Sequence, residues 1–145
     1  MSWAVSLQRV RDAVALADPS LVELPSLAIE SAAQTLAVPG QTGFAVNMSA
    51  SAWVGERQRQ RVRVEHAVTV DLIATAQQHG RETETLARVL DLEQAVLATV
   101  LEVSSNPGVS VQWAGSARGW DESRVYLLTQ MTFALTSCDG TGANS

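Results

Sequence analysis

The stretch Glu-Arg-Gln-Arg-Gln-Arg-Val-Arg-Val-Glu-His-Ala-Val-Thr-Val-Asp, from Glu56 to Asp71, alternates more strictly than any other part of the chain. A β-strand sends successive side chains to opposite faces. On that geometry Arg57, Arg59, Arg61, Arg63, Glu65, Thr69 and Asp71 share one face. Val62, Val64, His66, Val68, Val70 and Leu72 share the other. The valine side is core material and the arginine side a displayed surface, so one segment sets both a strand and its orientation.

Such a ladder can meet an acidic protein surface or nucleic-acid phosphate. It can also be a solvated strand face whose arginines discourage edge pairing. The formal net charge of −5 opposes phosphate binding. All ten basic residues are arginine, with no lysine anywhere, and four of them fall between 57 and 63. An acidic molecule with one basic ridge is expected.

At 145 residues, 46% of them hydrophobic, the chain suits one domain with a real core. Cys138 is the single cysteine, which excludes an internal disulfide and a thiolate metal cage. No signal peptide is evident at the N-terminus, and no run reaches the roughly 18 apolar residues of a membrane span. A soluble protein made in a reducing cytoplasm is expected.

Outward from the arginine strand, the apolar period changes several times. Trp3, Leu7, Val10, Val14 and Ala17 mark a helical stripe, with Ser2 at the cap position and Asp18-Pro19 as the stop. Val22-Glu23-Leu24 is extended. The alanine-rich run 28–36 fits a short helix and residues 27–30 fit a strand equally; we take the helix. Residues 39–43 form a turn. Phe44, Val46, Met48, Ala50, Ala52 and Val54 then alternate with Ala45, Asn47, Ser49, Ser51 and Trp53. This strand should form a long hairpin with the arginine strand, which could run to Ala76. Trp53 falls on the polar side, to be covered on assembly.

Residues 77–80 break the chain. A helix over 82–102 carries the stripe Leu86, Val89, Leu90, Val96, Leu97, Val100 and Leu101. Glu82, Glu84, Asp91, Glu93 and Glu102 form its solvated acidic face, a counterpart for a neighbour's arginines. Residues 106–108 close this segment, and Val109, Val111 and Trp113 make a strand with Trp113 in the core. A loop over 115–121 presents Arg118 and Trp120, the latter as an intersubunit anchor. A strand over 124–136 follows. The fold class is α+β: a mainly antiparallel sheet with a long hairpin, an N-terminal helix and one long central helix packed on one face. Residues 1–137 form the single domain and 138–145 a flexible tail.

Few residues invite a reaction. His66, on the apolar side of its strand, is expected to be buried and hydrogen-bonded rather than a base, and His79 to be exposed in a turn. Gly115-Ser116-Ala117-Arg118-Gly119 lacks nucleophile-elbow spacing and a following helix. Gly140-Thr141-Gly142 lies too close to the chain end to open a phosphate-binding helix. No catalytic residue, cofactor or metal is assigned. The candidate interface residues are Trp53, Arg57, Arg59, Arg61, Arg63, Arg118 and Trp120.

In size and element order the chain resembles the tail-terminator (tail-completion, minor tail) proteins of long-tailed bacteriophages. The resemblance rests on a helix over 2–17, a strand pair ending in 60–76, a second helix over 82–102, and closing strands over 109–113 and 124–136. It implies a non-enzymatic virion structural protein that forms a hexameric ring, caps the tail tube and joins it to the head connector. Its partners would be its own copies, the tail tube protein and head–tail connector proteins. It would reside in the virion tail or neck after synthesis in the host bacterial cytoplasm. No membrane is involved, and DNA would be met only in transit through the ring lumen. The lysine-free composition and the run 27–38 depart from the family's look. Another neck or head–tail adaptor role, or a stand-alone binding module using the basic strand, fits the same residues.

Overall fold

Strand β3 (Arg61–Thr75), the strand its two-residue alternation predicts, lies at the centre of the sheet. The structure is a computed structural model, which describes residues 3–24, 36, 41–53, 61–76, 80–105 and 108–140; residues 61, 62 and 138–140 are described by backbone alone. The remaining strands are β1 (Leu21–Glu23), β2 (Thr42–Trp53), β4 (Val109–Trp120) and β5 (Tyr126–Gly140). They form one five-stranded sheet in the order β1-β2-β3-β5-β4. Only the short β1–β2 pair is parallel. The β3–β5 ladder runs unbroken from Arg61 opposite Gly140 to Thr75 opposite Tyr126.

Helices α1 (Trp3–Ala17) and α2 (Glu82–Leu101) both lie on one face of this sheet. The main core forms between them and the strands. Val68, Val70 and Leu72 of β3 pack with Phe44, Met131, Phe133 and Leu135, under Val10 and Val14 of α1 and Val96 and Val100 of α2. Each such side chain contributes about 1.5–3 kcal/mol on burial. Glu82 and Glu84 in the first turn of α2 favour the positive end of its dipole. The helix closes through a 3-10 turn at Glu102–Ser105.

One corner of the opposite face is also covered. Leu24, Leu36 and Ile73 form a second cluster there with Val22, Tyr126 and Leu128. Leu24 follows β1, and its N–H donates to the Phe44 carbonyl at 2.8 Å. A Cβ on Gly43 would stand 2.6 Å from Leu24 Cγ. Glycine at that position is what lets the leucine lie down on β2.

Several local expectations change. β2 begins at Thr42, inside the expected turn. Between Met48 and Ala50 its register with β3 slips, leaving Ser49 as a bulge. An extra residue on one strand reverses every later side chain relative to the simple alternation. β4 runs through the expected loop to Trp120, across a second bulge between Trp113 and Gly115, where Gly115 takes φ 151°. The turn lies later. Asp121 accepts hydrogen bonds from the N–H groups of Val125 and Tyr126, and Arg124 takes φ 57°. β5 continues through Gly140, into the segment expected to be a tail. Expectations for Ser2, the run 28–35, residues 54–60, His79, Asn106-Pro107 and 141–145 fall outside the described residues.

Candidate assembly surface

Where β3 begins, the sheet ends in chemically different faces. On the helix-bearing face, Val64 and His66 are buried and Val64 pairs with Trp53 across the β2–β3 ladder. The Ser49 bulge puts Ser51 and Trp53 on this face, the side of Phe44, Val46 and Met48. This corrects the expectation that Trp53 projects from the polar side. Trp53 remains 58% exposed.

His66 is fully buried, as its place among the valines suggested. Ser51 Oγ lies 2.6 Å from its Nδ1. The Trp3 ring stands edge-on to the imidazole, with centroids 4.9 Å apart and planes at 69°. Trp3 is itself 48% exposed. Two half-exposed tryptophans therefore stand beside the buried His66 ring and its Ser51 partner.

The opposite face of the same end carries the arginine strand. Arg63 is exposed and points away from the valines. The Arg61 backbone pairs with Gly140 at the start of β3. Arg57 and Arg59 lie outside the described residues. Further along this face the sheet is small and mostly neutral: Ala45, Asn47 and Ala50 on β2, Ala67 and Thr69 on β3, Thr132 and Ala134 on β5. A cavity of about 280 Å³ opens beside β4, where Ala117 and Gly119 leave room above Asp71, Ile73, Leu128 and Gln130. Burial pushes the Asp71 carboxyl above its ordinary range, against a hydrogen bond with Gln130 that lowers it.

Arg118 and Glu93, one expected at an interface and the other on a solvated helix face, bind each other. The guanidinium donates from Nε to Glu93 Oε2 at 2.6 Å and from its second terminal nitrogen to Oε1 at 2.8 Å. Glu93 is only 4% exposed. The hydrogen bond to Glu93 and the nearby carboxylate charge raise the Arg118 pKa, with partial burial opposing them. This pair ties α2 to β4. The spacing 89, 93, 96, 100 already placed Glu93 among the buried Val89, Val96 and Val100. Glu93 therefore does not belong to the solvated acidic face, of which Glu84, Asp91 and Glu102 are exposed.

The two remaining tryptophans exchange their expected places. Trp120 is half-buried against the Ala74, Val89 and Leu127 cluster, at the end of a strand rather than in a loop. Trp113 pairs with Phe133 on the helix-bearing face, yet it is 48% exposed because β4 is the outermost strand.

No family model matches this chain, and no curated protein matches it. No helix among the described residues is long and apolar enough to cross a membrane. Among the same residues, no three His, Cys, Asp or Glu side chains gather as a metal site.

Proposed function

We propose that this protein is a non-enzymatic virion structural subunit of the tail-terminator kind, forming a ring that caps a phage tail tube and joins it to the head connector. The observation that carries the reading is the sheet end at which Trp3 and Trp53 lie half-exposed on one face and Arg63 projects from the other. Tryptophan and arginine are the residues most often found at energetic centres of protein interfaces. Here they stand on a strand and a helix anchored to the main core, so docking loses little conformational freedom.

The element order supports the same reading: a helix, a strand pair, a second helix and a closing strand pair, with both helices on one side. The arginines would meet carboxylates of a neighbour, among which Glu84, Asp91 and Glu102 are exposed. A head-to-tail contact of this kind closes into a ring when its rotation divides a full turn.

Light scattering and sedimentation on the purified chain test this reading. A discrete assembly of about six copies is expected. It should weaken as salt rises and dissociate on charge reversal at Arg59 and Arg61. A monomer at every concentration that also fails to bind tail tubes overturns it.

A further inference from the structure

The two rims of the sheet carry an unfinished ladder. Among the described residues, β1 pairs with the outer edge of β2 only at residues 42–44, and no described strand pairs with that outer edge over 45–53. At the other rim, Ser104 Oγ takes the outward N–H of Val111 at 2.9 Å. From 112 to 120 no described strand pairs with the outer edge of β4. Among the described residues, two unpaired edges of equal length therefore bound one sheet.

Exposed edges normally carry charges, prolines or bulges that block pairing with other chains. β2 has no charged residue and no proline from Thr42 to Trp53. β4 has one charge, Arg118, and its guanidinium is turned onto Glu93. One bulge in each strand is the sole device of this kind.

We infer that a second copy of this chain completes the ladder, the free edge of β2 in one copy pairing antiparallel with the free edge of β4 in the next. This rests on the ring-subunit reading and deepens it by naming the seam. Strand direction favours it. β2, β3, β5 and β4 alternate in direction across the sheet, so a β4 placed beside β2 continues the alternation and keeps all helices on one side. The tryptophans favour it too. Trp53 and Trp113 both lie on the helix-bearing face, one at each rim. When residues 45–53 run antiparallel to 112–120, Trp53 of one copy arrives beside Trp113 of the next. Each covers the other's exposed ring, as aromatic cross-strand pairs do. The contact is heterologous, so it propagates from copy to copy.

The test uses Trp53→Lys, which spoils the β2 rim, and Trp113→Lys, which spoils the β4 rim, with thermal melting to confirm folding. Ala50→Lys and Gln112→Lys, at exposed positions of the same rims, replace either variant that fails to fold. Each variant alone should sediment as a monomer. Mixed one to one, they should form a dimer and nothing larger, because each copy keeps one sound rim. Retention of the wild-type assembly by both variants, or by either one, overturns the seam while leaving the ring-subunit reading intact. So does a mixture that stays monomeric. A wild-type chain that is monomeric at every concentration overturns the seam, and one that also fails to bind tail tubes overturns the ring-subunit reading as well.

Discussion

Arg118, on the outermost strand, grips the buried carboxylate of Glu93 on the central helix through two parallel hydrogen bonds. Paired, the charges make a fork-to-fork contact; separated, one carboxylate is stranded in the core. Removing one partner of a buried pair costs about 3–5 kcal/mol, and the partial exposure of Arg118 lowers this to about 2 kcal/mol. Urea unfolding of Arg118→Ala should show that loss. Replacing both residues by methionine should recover most of it. A double-variant loss equal to the sum of the Arg118→Met and Glu93→Met losses would mean the pair contributes no coupling.

Gly43 should tolerate no side chain while Leu24 lies across it. Gly43→Ala is expected to cost about 1–3 kcal/mol, as overpacking does. Adding Leu24→Ala should make the alanine at 43 nearly harmless. A double-mutant cycle of denaturation midpoints measures that coupling.

Ser51→Ala removes a hydroxyl that meets a buried imidazole. The expected cost is about 1–3 kcal/mol, the penalty for a buried polar atom losing a partner. With His66→Leu in the background, Ser51→Ala should be close to neutral. Chemical denaturation of the three variants checks this.

Two aspartates should respond to pH in opposite directions. Asp71 titrates above the ordinary carboxylate range because of burial. Ionising it therefore costs stability above its raised pKa, and the cost is absent below the unfolded value of about 3.9. Asp71→Asn should stabilise the protein at neutral pH, with the gain fading as pH falls through that window. For Asp121, burial raises the pKa. Hydrogen bonds from Ser123 and from the N–H groups of Tyr126, Ser123 and Val125 outweigh it, so the net shift is downward. Its stabilisation is complete above about pH 3.9 and disappears as pH falls through the depressed pKa. Asp121→Asn should thus destabilise at neutral pH and approach wild type in strong acid. Denaturation midpoints across this range give both signs.

Where side chains repeat with an uninterrupted period, the sequence and the fold agree. β3 carries Val64, Val68, Val70 and Leu72 inward without a break, and α1 and α2 show stripes at helical spacing. Agreement fails where one residue shifts the period. Ser49 and the residue before Gly115 are ordinary in composition, and only pairing with a neighbour shows them to be bulges. The stretch 115–120 reads as a loop because an edge strand with one open face needs no apolar alternation. Arg118 could not be assigned from its own neighbours in the chain. Its partner lies 25 residues away, on an element whose rotation had first to be known.

The slip at Ser49 makes strand length a coded quantity in this molecule. Deleting that single serine would leave the composition of β2 almost unchanged. It would remove the bulge yet leave Ser51 opposite His66 and Trp53 opposite Val64, whereas deleting Ala52, beyond the bulge, would carry the indole to the arginine side. Insertions and deletions beyond the bulge should therefore be tolerated far less readily than substitutions at the same positions.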